Sequence, residues 1–76
     1  MDDACIAVFP STHSVIKAEK ALLRRGIAVD AVPVPRHISS DCGIGLRFDC
    51  AFEKAVRDAI AGENIPISGV YNEKQD

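Results

Sequence analysis

Residues 27–49 read IAVDAVPVPRHISSDCGIGLRFD, two apolar runs joined by a polar segment. Residues 27–34 predict a strand, and the prolines at its far end indicate an edge strand, because proline lacks the N–H that a sheet ladder requires. Residues 36–42 predict a polar loop. In residues 44–49, apolar and polar side chains alternate, which is typical of a half-buried strand. The stretch therefore predicts two strands in succession.

A strand and a helix precede this stretch. Residues 4–9 form a continuous apolar run that ends at a proline, which predicts a strand buried on both faces. Residues 13–25 predict a helix, because Ser11 or Thr12 can cap its start and two arginines followed by Gly26 can end it. The residues that we expect on its inner face are Val15, Ile16, Ala18, Ala21 and Leu22.

A second helix and a last strand follow the stretch. Residues 50–61 predict a helix that Gly62 ends, and residues 66–71 predict a short strand before a polar tail at 72–76. The side chains that we expect to point inward from the third strand and the second helix are Ile44, Leu46, Phe48, Phe52, Val56, Ala59 and Ile60.

The order of elements, βαββαβ, decides the predicted architecture. With right-handed crossovers it folds as an α+β, ferredoxin-like domain, a four-stranded antiparallel sheet with two helices on one face. We expect one domain over residues 1–76, with its core at about 4–71. Strand 3 returns between strands 1 and 2, so the end of strand 1, the start of helix 1 and the strand 2–3 loop meet along one edge of the sheet. Cys5 and Cys50 fall at the opposite edge.

Composition narrows the classes of function. The chain has 76 residues, so its core is thin and a deep substrate cavity is not expected. A net charge of −2, no basic tract and no tryptophan argue against nucleic acid as a partner. No segment reaches the length of a membrane span, and an acidic start is unlike a signal peptide. We therefore expect a cytoplasmic protein whose three cysteines are mostly reduced, and a carrier or binding module more than a self-contained enzyme.

The polar loop ends in Cys42, which a flexible Gly43 follows. Reactive cysteines require exposure and groups that favour the thiolate. Such groups are present in the loop and at the predicted start of helix 1, whose free N–H groups favour an anion; the adjacent Asp41 opposes them. We therefore interpret Cys42 as the reactive residue and expect its binding partners to be Arg36, His37, Ser39, Ser40, Asp41, Gly43, Ser11, Thr12 and His13.

Other interpretations of the same residues stay open. Cys42 can be a small residue that starts a strand, with Gly43 there for a turn. Cys42, His37 and His13 form a conceivable ligand set, but no zinc spacing demands it, and we expect neither metal nor cofactor. A non-catalytic module that binds a small ligand or regulates a partner is the main alternative, and an exposed edge strand is compatible with a homodimer.

Several motifs, in one order and spacing, resemble a known family. They are Phe9-Pro10-Ser11-Thr12-His13, Ala18-Glu19-Lys20, Pro33-Val34-Pro35-Arg36 and residues 38–48 with the Ser-Ser and Cys-Gly pairs. Together they resemble the small bacterial DUF3343 family, whose members are described as selenium/sulfur carrier proteins. The resemblance covers about residues 6–71.

The resemblance implies a carrier that holds sulfur or selenium on Cys42 as a persulfide or selenopersulfide. It also implies donor and acceptor proteins as partners. The polar loop agrees with this role, because a thiolate can accept a sulfane sulfur and pass it on. No family motif covers Cys5 or Cys50, so the resemblance implies no role for either.

Overall fold

Four antiparallel strands form one sheet in the order β2-β3-β1-β4, with two helices against it. The computed structural model describes residues 3–34 and 43–72. This architecture confirms the predicted ferredoxin-like fold, including an edge position for β2. The elements are β1 (Ala4–Val8), α1 (Thr12–Arg24), β2 (Asp30–Pro33), β3 (Ile44–Asp49), a short 3-10 turn (Cys50–Phe52), α2 (Glu53–Gly62) and β4 (Gly69–Asn72).

The central strands β1 and β3 carry the core, because each has neighbours on both sides. Their register pairs Cys5 with Phe48 and Val8 with Gly45. Successive side chains of a strand point to opposite faces. Ala7 and Phe48 therefore point into the main core beneath the helices, where both are almost fully buried. Ile6 points to the other face and belongs to a second apolar cluster.

Helix α1, Thr12–Arg24, begins and ends one residue before the predicted bounds of 13 and 25. Ser11 is the N-cap, and its hydroxyl oxygen accepts a hydrogen bond from the backbone N–H of Ser14 at 3.2 Å. At the other end, Gly26 has a φ of 78°, which glycine adopts without the steric cost of a Cβ atom. The N–H of Ile27 then donates to the carbonyl of Leu22 at 3.0 Å, which closes the helix.

Three predicted inward positions are wrong. Ile16 is 46% exposed, because Val15 and Ala18 already fill the narrow stripe of α1 that meets the sheet. Phe52 is 47% exposed, since it lies in the 3-10 turn before α2 and does not share that helix's inner face. Ile44 is 40% exposed at the first position of β3.

Two strand boundaries also differ from the prediction. β2 begins at Asp30 and not at residue 27, because the backbone of Ile27 is still hydrogen-bonded to α1. β4 begins at Gly69 and extends to Asn72, which the sequence pattern assigned to the polar tail. Asn72 lies opposite Cys5 of β1, and this register proves important for the site described below.

Within residues 3–34 and 43–72, no helix combines the length and the apolar character needed to cross a membrane.

The second apolar cluster depends on the absence of a side chain at Gly45. A Cβ atom there would lie 2.7 Å from Cγ2 of Ile6, 2.8 Å from Cγ2 of Val34 and 2.9 Å from the carbonyl oxygen of Ala7. Val8, paired with Gly45 on one side and Gly69 on the other, is fully buried. Glycine at this position therefore lets neighbouring side chains close over the backbone of β3.

We expect Gly45→Ala to lower the free energy of unfolding by about 1 to 3 kcal/mol, the usual cost of overpacking. The added methyl group would meet backbone as well as side-chain atoms, so rotamer changes alone cannot relieve the contact. Urea denaturation followed by circular dichroism measures the effect.

Gly43→Ala is the matched control for this measurement. A Cβ atom at Gly43 meets no atom within 4 Å, and its φ is not positive. It should leave stability unchanged or raise it by up to about 1 kcal/mol, because alanine restricts the unfolded chain. Equal stability of the two variants would contradict the packing role of Gly45.

Candidate functional site

The two residues that flank the segment with the predicted reactive cysteine are hydrogen-bonded to each other. The backbone N–H of Val34, just after β2, donates to the carbonyl oxygen of Gly43, just before β3, at 2.9 Å. Residues 35–42 lie outside the described part of the chain, and so do six predicted site residues: Arg36, His37, Ser39, Ser40, Asp41 and Cys42. Of the loop, Gly43 is the member that the structure describes, and it is exposed.

The remaining predicted site residues lie at the same end of the sheet as Gly43. Val8, the last residue of β1, pairs with Gly45 near the start of β3, and the chain then turns through Pro10 into the N-cap Ser11. The N–H of Ser68 donates to the carbonyl of Val8 at 2.7 Å, which brings the chain before β4 to this end as well. The end of strand 1, the start of helix 1 and the two residues that flank the strand 2–3 connection, Val34 and Gly43, therefore lie at one end of the sheet.

The start of α1 offers capped and open donors. The hydroxyl of Ser11 is engaged with Ser14, whose backbone nitrogen and Oγ lie 3.2 and 3.1 Å from it. Thr12 and His13 are exposed. The first N–H groups of a helix have no partner within it, so those of Thr12 and His13 are directed outward, where they favour negative charge. Ser11 therefore has a structural role, and ligand binding by these three residues stays a prediction.

Ser11→Ala should destabilise the protein by about 1 kcal/mol, because the capping oxygen for the N–H of Ser14 is lost. Thermal unfolding gives the difference. Thr12→Ala serves as the control: it is exposed, is not the cap, and should change stability by about 0.5 kcal/mol or less. A larger loss for Thr12→Ala than for Ser11→Ala would contradict this assignment of the cap.

The opposite end of the sheet holds a pair of cysteines joined by a disulfide bond, Cys5–Cys50. The expectation that these two thiols are reduced is wrong for this structure. Their Cα atoms lie 5.1 Å apart, within the range that a disulfide spans. The strand register causes this proximity: the N–H of Cys50 donates to the carbonyl of Asp3 at 3.2 Å, which extends the β1–β3 ladder past Asp49.

The two sulfurs of this pair differ in their surroundings. Cys5 is buried, with 3% of its surface exposed, whereas Cys50 is partly exposed. The side-chain amide of Asn72 donates to Sγ of Cys50 at 3.7 Å. Cys50 also lines an open cleft of about 450 Å³, whose other lining residues are Ala51, Glu53, Lys54, Arg57 and Asp58.

The sequence analysis predicted that Cys5 and Cys50 lie at the same end of the sheet, but it did not predict a disulfide bond between them. The available signal was the position of each cysteine relative to its strand, since Cys5 opens strand 1 and Cys50 follows strand 3. Antiparallel strands bring the start of one beside the end of the other. The odd cysteine count argued only against complete pairing, and it is compatible with one disulfide and one free thiol.

Two further clefts of the described residues contain no cysteine or histidine. One of about 470 Å³ is lined mainly by apolar residues of α2 and the chain that follows it, with Arg57 and Asn64. Arg57 is already paired, since its Nε donates to Oε2 of Glu53 at 3.0 Å. Among residues 3–34 and 43–72, no three His, Cys, Asp or Glu side chains are grouped in a way that could hold a metal ion.

Alkylation of the native, non-reduced protein should label Cys42 alone, because the disulfide protects Cys5 and Cys50. After reduction and unfolding, all three cysteines should be labelled. Intact mass and peptide mapping give both patterns. Labelling of Cys5 and Cys50 before reduction would show that the pair is not oxidised in the isolated protein.

The chain matches, over residues 4–72, the model of a protein family described as "Putative Se/S carrier protein-like". The match spans all four strands and both helices and agrees with the resemblance that the loop motifs carry. No curated protein and no solved structure matches the chain.

Proposed function

The chain belongs to this family of Se/S carrier-like proteins, and on that premise we propose that it carries sulfur or selenium on Cys42. The cargo is held as a persulfide or selenopersulfide and is passed from a donor protein to an acceptor protein. The observation that carries the proposal is the family match together with the Cys42-Gly43 pair that ends the loop.

The architecture of the described residues supports a transfer site at this end of the sheet. The Val34–Gly43 hydrogen bond holds the two ends of the loop together, next to the start of α1. The eight-residue connection between them, residues 35–42, carries polar side chains before the cysteine that ends it, and Gly43 follows. Connecting segments between strands generally lie at the protein surface, where docking proteins reach them, whereas core residues are buried.

The transfer itself is an exchange at sulfur. The Cys42 thiolate attacks the terminal sulfur of a donor persulfide, a new S–S bond forms at Cys42, and the bond within the donor breaks. The donor leaves as a thiolate, so no external oxidant or reductant is consumed. An acceptor thiolate then attacks the terminal sulfur of the Cys42 persulfide, and Cys42 leaves as a thiolate. Selenium follows the same sequence, with a S–Se bond in place of the transferred S–S bond.

Loop residues have separate parts in this proposal. Arg36, with Ser39 and Ser40, stabilises the terminal anion by charge and hydroxyl donors. His37 adds positive charge when protonated, whereas the negative charge of Asp41 opposes the stabilisation of the terminal anion. Gly43 gives the partner room, and the N–H groups at Thr12 and His13 extend the anion-binding surface next to the Ser11 cap.

A carrier of this kind requires partners and no deep pocket. Two proteins dock in turn on the same end of the sheet, the donor and the acceptor. We place this work in the cytoplasm, where protein thiols such as Cys42 are kept reduced and are available to accept a sulfane sulfur. A homodimer through β2 is compatible with the proposal, since β2 is an edge strand of the sheet.

Loading with a persulfide donor tests the proposal. After incubation of reduced protein with a persulfide-bearing cysteine desulfurase, intact mass should show one added sulfur that a thiol reductant removes, and peptide mapping should place it on Cys42. Cys42→Ser should lose this addition. Arg36→Ala should load less, because the terminal anion loses its positive neighbour.

Cys50→Ser is the matched control, since it removes a thiol at the other end of the sheet and should leave the loading of Cys42 unchanged. Full loading of Cys42→Ser would refute the role of Cys42. Intact function of Cys42→Ser together with loss in Arg36→Ala would instead favour a module that binds a small anion.

A further inference from the structure

The Cys5–Cys50 pair is built asymmetrically. Cys5 lies in the main core with Phe48 and Ala7, where solvent does not reach its sulfur. Cys50 lies at the surface end of β3, partly exposed, where the strand turns into the short helical turn before α2. An incoming molecule can therefore approach one sulfur of the bond and not the other.

The surroundings of Cys50 favour a charged sulfur there. The amide N–H of Asn72 donates to its Sγ at 3.7 Å, and such a donor stabilises negative charge on sulfur. Two cations, Lys54 and Arg57, and two acidic side chains, Glu53 and Asp58, line the same cleft, so the cleft's charges balance and the donor from Asn72 is what favours a charged sulfur. The nearest acidic side chain in sequence, Asp49, is engaged, since its Oδ1 accepts the N–H of Ala51 at 3.0 Å. No comparable polar neighbour reaches Cys5 within the described core cluster.

From these observations we propose that Cys5 and Cys50 form a thiol–disulfide exchange site for small-molecule thiols, with Cys50 as the sulfur that reacts with them. Cys5 is the internal partner that opens and closes the bond. The cleft beside Cys50, about 450 Å³, has the volume of a site for a peptide-sized thiol, and its cationic and anionic side chains suit a zwitterionic one.

The exchange balances without any further reactant. A thiolate attacks Sγ of Cys50, the Cys5–Cys50 bond breaks, and Cys5 leaves as a thiolate that takes up a proton. A second small-molecule thiolate attacks the sulfur of the first small molecule in the mixed disulfide, and Cys50 leaves as a thiolate. The protein disulfide gains two electrons, and two thiols become one small disulfide. The reverse sequence, with a small disulfide as oxidant, restores the Cys5–Cys50 bond.

This site is independent of the carrier function proposed for Cys42. The two cysteine positions belong to opposite ends of β3: Gly43 precedes the strand and Cys50 follows it. Disulfides in a reducing compartment are generally transient and serve catalysis or redox sensing. A pair with one accessible and one buried sulfur fits that class, because access decides which sulfur is attacked.

Glutathione is the probe for the test, applied to the full chain with Cys42→Ser so that the pair is the only source of thiols. Under native conditions, reduced glutathione should convert the protein from no alkylatable cysteine to two, and both should appear together. Glutathione disulfide should reverse the change. Intact mass follows each state, after an acid quench that stops the exchange and alkylation of the unfolded protein, which makes the buried Cys5 accessible.

Two further variants identify the reacting sulfur. With Cys42→Ser and Cys5→Ala, glutathione disulfide should add one glutathione to Cys50. With Cys42→Ser and Cys50→Ala, it should add none to Cys5, which is buried. Asn72→Ala should slow the addition at Cys50, because the N–H donor to its sulfur is lost. Circular dichroism and a thermal melt verify that each variant is folded.

Reduction that requires a denaturant would overturn the proposal and make the disulfide purely structural. Equal addition of glutathione to Cys5 and Cys50 in the folded variants would overturn it as well. Neither result bears on the carrier function, since Cys42 is absent from these proteins, and failure of Cys42 to load would leave the exchange at Cys50 unaffected. The measurement on the Cys42→Ser protein needs no core substitution, so the proposal is tested even if a Cys5 variant does not fold.

Discussion

The antiparallel pairing of β1 with β3 is the constraint on which the rest of this structure depends. Both strands are central, and a slip of one residue would turn every side chain to the other face of the sheet. The observed register sends Ala7 and Phe48 into the core beneath the helices and places Gly45 beside Val8. Gly45 in turn allows Ile6 and Val34 to close over the backbone. A single register thus builds two apolar layers, one on each face.

The same pairing separates the cysteine chemistry of the protein into two regions. At one end of β3, Gly43 is anchored to Val34 and begins the strand, directly after Cys42 in the sequence. At the other end, Cys50 continues the ladder with Asp3 and meets Cys5. The extended strand β3 lies between these two regions and keeps them apart. The carrier role proposed for Cys42 and the exchange proposed for Cys5 and Cys50 therefore belong to different ends of one small domain.

Much of the fold was predictable because local signals agree with one another. Alternation in residues 44–49, a cap at Ser11 and the glycine at position 26 each predict a boundary that the structure confirms. The failures have a common cause. Ile16 and Phe52 are apolar residues that periodicity assigns to an inner face, yet burial depends on what each residue faces: Val15 and Ala18 fill the stripe beside Ile16, and Phe52 lies in the turn before α2, off that helix's inner face. Hydrophobic periodicity shows which residues share one face of a helix or strand, but not which part of that face another element covers.

By itself, the sequence determined the order βαββαβ, the edge position of β2 and the family to which the chain belongs, because these follow from patterns within short segments. The tertiary structure alone decided that Cys5 and Cys50 form a bond and that Asn72 donates to one of its sulfurs. These three residues are far apart along the chain. Their contact depends on the register of three strands, which a linear pattern does not contain.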